Sequence, residues 1–169
     1  MRKKLILIPV LLLVLMLTII SGSGAAGPVL QATPDAAVQL QSFTFRPAAG
    51  ERPVVAPVLA ISSYAAGQQG YYIIQFAGPV QQEWKDEVTA AGAELLAYIP
   101  DFAFKVRMNP AEADRVAALG EVAWVGIFQP AYKLSPDLDV NGIGVYRVRV
   151  ERGADAGLAI AAINSSGAD

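Results

Sequence analysis

Gly70-Tyr-Tyr-Ile-Ile-Gln-Phe-Ala-Gly-Pro-Val80 opens the stretch that decides the fold, and its pattern returns as Gly144-Val-Tyr-Arg-Val-Arg-Val-Glu-Arg-Gly-Ala154. Each copy runs on through an Ala-rich helical stretch to a close of small residue, Gly, Ala and acid, Ala91-Gly-Ala-Glu94 and Ser166-Gly-Ala-Asp169. The offset is 74 residues at the strand and 75 at the glycine, so the second copy carries one inserted residue. A period this long describes a small domain rather than a solenoid unit. The second copy stops at residue 169, where its second strand would begin, so residues 144–169 read as a truncated module after a 136–143 linker.

Working outward, Tyr71–Ala77 is β-branched and aromatic, and Gly78-Pro79 stops a strand and starts a helix. Val80, Trp84 and Val88 share one helical face, and Gly92 suits a left-handed close. Leu95–Ile99 reads as a strand and Pro100-Asp101 as a turn. Phe102, Phe104, Val106 and Met108 alternate with Ala103, Lys105 and Arg107, the pattern of a strand with one buried face. Asn109-Pro-Ala-Glu112 supplies an N-cap, a proline at the first helical position and the glutamate of a capping box. Ala113, Val116 and Ala117 are expected to face inward, and Val122–Phe128 is the last strand. The order strand-helix-strand-strand-helix-strand over residues 70–135 predicts an α+β fold, a ferredoxin-like plait.

The repeat predicts which strand face is core. Tyr72, Ile74 and Phe76 match Tyr146, Val148 and Val150, apolar in both copies, whereas Tyr71, Ile73 and Gln75 match the mixed set Val145, Arg147 and Arg149. The helices should cover the Tyr72 face. The opposite face, with Ile73, Gln75, Lys105 and Arg107, is expected to stay open as a docking surface.

Residues 1–26 read as a secretory signal: Arg2-Lys-Lys4, an apolar run from Leu5 to Ile20, then small residues up to a cleavage site at Gly24-Ala-Ala26. Sixteen helical residues span about 24 Å, short of the roughly 30 Å hydrocarbon core, which favours cleavage over a retained anchor. The expected location is therefore extracellular, with no membrane association after cleavage. Loss of Arg2, Lys3 and Lys4 leaves ten basic against fifteen acidic residues, a charge of −5, which argues against a nucleic-acid partner. Residues 27–69 are rich in Pro, Ala and Gln and read as a linker, with one short strand within Val38–Phe45.

The chain contains no histidine and no cysteine, which removes Ser-His-Asp and Cys-His catalysis, histidine-containing zinc sites and disulfides. Glu83, Asp86 and Glu87 lie on an exposed helix side, where solvated charge explains them better than paired-carboxylate catalysis. Asp137-Leu-Asp-Val-Asn-Gly142 copies half a calcium loop, but the twelfth position is Val148 in place of a bidentate glutamate, so it reads as a polar turn. Asn164-Ser-Ser166 is a glycosylation sequon by letter only. No catalytic residue, cofactor or metal is predicted.

Tyr71–Pro79, Ala91-Gly-Ala93, Leu96-Ala-Tyr-Ile-Pro-Asp-Phe-Ala-Phe104, Val122-Ala-Trp-Val-Gly126 and Phe43-Thr-Phe-Arg-Pro47 together resemble the N-terminal pro-region of bacterial secreted subtilisin-like serine proteases. The likeness covers roughly residues 40–169. It implies a ferredoxin-like propeptide that helps a protease domain fold and then inhibits it, in cis or in trans, with the catalytic Asp, His and Ser motifs downstream. It also implies that the open sheet face packs on the enzyme. The tail Gln129, Pro130, Ala131, Tyr132, Lys133, Leu134 and Ser135 would then lie in the substrate cleft. The alternative is a free-standing secreted inhibitor or cell-surface interaction module.

Overall fold

The computed structural model describes residues 35–139, 144–151 and 153–167, so residues 1–26, expected to be a secretory signal, lie outside the described residues. The architecture is α+β with two antiparallel sheets. A short hairpin pairs β1 (Val38–Gln39) with β2 (Thr44–Phe45). The main unit follows as β3 (Gly70–Phe76), α1 (Gln82–Ala90), β4 (Glu94–Ile99), β5 (Ala103–Met108), α2 (Pro110–Ala117) and β6 (Val122–Ile127). Its strands are ordered β4-β5-β3-β6, every neighbouring pair antiparallel. A third helix, α3 (Ala156–Ser165), lies in the second copy. Among the described residues no helix is long and apolar enough to cross a membrane.

Local chemistry explains the boundaries. β3 ends at Phe76, just before Gly78-Pro79, and α1 begins three residues past Pro79 at Gln82. It closes as expected at Gly92, whose φ of 112° an L side chain rarely adopts. Asn109 caps α2 in a complete capping box: its Oδ1 accepts from Glu112 N at 3.0 Å while Glu112 Oε2 accepts from Asn109 N at 2.7 Å. One face of β3 carries the predicted core, with Tyr72, Ile74 and Phe76 packed beneath Val88 of α1 and Ala113 and Val116 of α2. Ala117, expected to face inward, is exposed as the last residue of α2. Trp84 stacks on Phe76 at 5.8 Å.

Three expectations need correction. Val38–Phe45 forms two strands, with Leu40 N bonded to Phe43 O at 2.8 Å across the turn. This leader is part of the fold: Val38 and Phe45 join Ile73, Ile99, Ala103 and Phe128 in a second core cluster. The far face of the sheet is thus covered by the chain itself, and β3 is buried on both sides. Phe102 lies in the β4–β5 turn rather than in β5, with φ of 67° after Asp101 at 63°. Two consecutive non-glycine residues in the left-handed region are unusual and persist only where their surroundings fix them. Here Phe102 O accepts from Phe76 N at 2.9 Å, Asp101 O accepts from Gln75 Nε2 at 3.1 Å, and the Asp101 carboxylate accepts from Gln39 Nε2 at 2.9 Å. The turn that closes one hairpin therefore pins the other.

Val145, Tyr146, Val148 and Val150 are exposed, and residues 144–150 form no strand. Among the described residues, no strand pairs with this copy of β3 to bury it. α3 is capped by Asp155, which accepts from Gly157 N at 2.7 Å and Leu158 N at 3.2 Å.

Candidate partner-binding face

The face opposite the helices holds all the predicted contact residues, in two groups. Ile73 and Gln75 are 0% and 2% exposed, so the leader hairpin removes them from any external surface. The amide of Gln75 is satisfied inside the fold by Asp101 O.

Lys105 and Arg107 stand opposite Ile73 and Tyr71 in the β3–β5 register, and both keep part of their side chains exposed. Arg107 bonds Glu94 across β4, and its side chain is 42% exposed. The Lys105 side chain is 15% exposed and bonds the carboxylate of Glu151. Its Nζ sits 4.9 Å from the ring centroids of both Tyr71 and Phe128.

The tail is also folded onto this face. Gln129 precedes a 3-10 turn over Pro130–Lys133, in which Ala131 is buried. Tyr132 meets Phe43 at 5.1 Å, Phe128 at 5.7 Å and Phe45 at 6.1 Å, so leader and tail form one aromatic cover. Burial pushes the Tyr132 phenol up, against a smaller opposing effect of Arg52. Gln129 clamps residue 61 from both sides, accepting from Ile61 N at 2.6 Å and donating to Ile61 O at 3.0 Å. Leu134 O accepts from Ser42 Oγ at 2.6 Å. Lys133 and Ser135 are exposed, so an extended course into a partner's cleft is open only to the last residues of the predicted tail. The Lys133 ammonium lies 5.4 Å over Tyr71; partial burial lowers its pKa, repulsion from Lys105 adds to this, and Glu151 opposes it.

Beside the aromatic cover runs a shallow groove lined by Phe45, Arg52, Ser62, Trp124, Gln129 and Tyr132. Arg52 lies 5.3 Å over the Trp124 ring. Trp124 in turn packs against Gly126, where an added Cβ would meet the indole at 2.2 Å. No carboxylate lines the groove, so the Ser62 hydroxyl has no base beside it. The acid pair that does form is elsewhere. Glu87 of α1 hydrogen-bonds Glu121, which raises its pKa, and Glu121 is buried with Oε1 unpaired. Among the described residues no group of three or more His, Cys, Asp or Glu side chains is placed to hold a metal ion.

The role of the leader and the part played by Glu151 were the features that sequence reasoning missed. The signal for the first was present. Val38 and Leu40 fall in one alternation phase and Phe43 and Phe45 in the other, a change of phase at Gln41-Ser42 that marks a turn.

A family model described as a domain of unknown function, DUF8729, matches residues 39–129, more than half of the chain. The chain belongs to this family. The matched segment begins within the leader hairpin and ends at Gln129, so it takes in the whole four-stranded sheet and most of the hairpin, and stops before the Pro130–Lys133 turn. No curated protein and no solved structure matches the chain.

Proposed function

We propose that residues 35–135 are a non-catalytic binding module, a ferredoxin-like plait that acts as the folding assistant and inhibitor in the pro-region of a secreted subtilisin-like serine protease. The observation that carries this reading is the β4-β5-β3-β6 order with one helix in each crossover. That arrangement is two interleaved strand-helix-strand units, as in a split βαβ plait. It coincides with the stretches whose residues resemble the pro-region. The lack of histidine and cysteine fits a role in binding rather than chemistry, and residues 1–26 fit export.

The mechanism is linkage. A module that binds only the folded protease stabilises it by mass action and occupies it until removed. Because Ile73 and Gln75 are covered, contact falls on the basic strip of Lys105, Arg107 and Lys133, with the chain from Lys133 onward leading to the cleft. A free-standing secreted inhibitor is the second reading, favoured by the leader and tail: they close the second face without help from a protease domain.

Inhibition constants of residues 27–169 against a subtilisin-like protease of the same organism test the proposal. Competitive inhibition below about 1 micromolar is expected. Lys105→Glu with Arg107→Glu should weaken it while leaving the circular dichroism spectrum unchanged. No inhibition at about 10 micromolar would reject the inhibitor role in both readings.

A further inference from the structure

Four side chains from separate elements meet at one point on the second face: Tyr71 from β3, Lys105 from β5, and Phe128 and Lys133 from the chain after β6. Two ammonium groups lie over the same Tyr71 ring, at 4.9 Å and 5.4 Å. The rings replace part of the hydration that Lys105 loses, but a largely covered ammonium still needs an anion, and a second cation beside it increases that need. Glu151 supplies the anion. It comes from 46 residues further along the chain, at the end of the exposed 144–150 segment, and its carboxylate bonds Lys105. Its charge also favours the protonated form of Lys133. Arg107, on the same face of β5 and bonded to Glu94, extends the basic strip past this point.

We propose that Tyr71, Lys105, Phe128 and Lys133 form a carboxylate-binding site, that Glu151 fills it in cis, and that an acidic side chain of a protein partner binds there by displacing Glu151. The partner's chemistry follows from the occupant: what the site holds is a carboxylate carried at the end of an exposed stretch of chain that lies outside any strand. Glu151 is then a latch that holds the second copy against the first and keeps the basic strip closed. Only the displacement step rests on the partner-binding reading above; the site and its latch do not.

The test uses the 27–169 chain, wild type and Glu151→Gln, with lysine acylation read residue by residue by mass spectrometry. Lys85 on α1 is the internal reference. Lys105 should be acylated about fivefold faster in Glu151→Gln, with the ratio at Lys85 unchanged. Acetyl-hexaglutamate amide, titrated into both chains, should restore Lys105 protection in Glu151→Gln at about fivefold lower concentration than it competes in wild type. The hexaglutamine peptide should have no effect. Equal Lys105 rates in the two chains would overturn the latch. Failure of hexaglutamate to protect Lys105 in Glu151→Gln at about 1 millimolar, or equal protection by hexaglutamine, would overturn the site. Because no protease enters the assay, this proposal and the protease reading fail separately.

Discussion

Replacing Phe45 with alanine tests whether the leader belongs to the core. The side chain is 3% exposed, and its ring meets Trp124 edge-on at 5.7 Å and Tyr132 at 6.1 Å. Truncating a core phenylalanine costs about 3–5 kcal/mol, including the cavity left behind. Two features place this site at the lower end. Tyr132 keeps its contacts with Phe43 and Phe128, and a two-residue strand can settle into the gap. A loss of about 3 kcal/mol is therefore expected, a large share of the 5–15 kcal/mol that a domain of this size holds. With a urea slope of about 1.5 kcal/mol per molar, the midpoint should fall by about 2 M. The assay is equilibrium urea unfolding followed by tryptophan fluorescence, with Val54→Ala as the control. Val54 is 96% exposed, and its truncation should change stability by less than about 0.5 kcal/mol. If Phe45→Ala behaves like Val54→Ala, the leader is a tether and the account of the second face is wrong.

Asp101→Ala should cost about 1–3 kcal/mol and expose the leader selectively, raising amide exchange at Val38 more than at Ile74, because the carboxylate that holds Gln39 is lost. Asn109→Ala removes the α2 cap and should lower stability by about 1 kcal/mol in the same urea assay. The Glu87–Glu121 hydrogen bond needs one proton and raises the Glu87 pKa in the folded state. Its contribution is fully present below the unfolded-state pKa of about 4.3 and disappears as pH rises through the folded-state value. Glu87→Gln keeps a donor at every pH, so its stability relative to wild type should increase between about pH 4 and pH 7. A flat difference across that range would contradict the assignment.

The sequence was most informative where one residue's backbone chemistry decides the outcome. Gly92 and the Asn109–Glu112 box marked helix ends because those residues act locally, although α1 begins at Gln82, three residues after Pro79. β3 to β6 fell within a residue or two of the strands read from the sequence. It was least informative about the second face. Ile73 and Gln75 form a mixed pair that looks like a half-exposed surface, yet Gln75 is buried because Asp101 O satisfies its amide, a contact made across 26 residues. Burial of Ile73 comes from Val38 and Phe45, in a stretch whose Pro and Ala content suggested a linker. The Asp101–Phe102 turn was equally hidden, since neither residue is one that normally selects two left-handed positions in succession. Long-range cover, rather than local propensity, separates the expected module from the observed one.

The central claim is that this module binds a subtilisin-like protease domain. Its most direct test is calorimetric titration of residues 27–169 into such a domain from the same organism with its catalytic serine replaced by alanine. Inactivating the enzyme prevents cleavage of the module from mimicking weak binding. The account predicts one-to-one binding with a Kd below about 1 micromolar and a negative heat-capacity change from apolar surface buried at the cleft. It also predicts weakening by Lys105→Glu with Arg107→Glu. No heat of binding and no complex by size-exclusion chromatography at about 50 micromolar of each protein would contradict it.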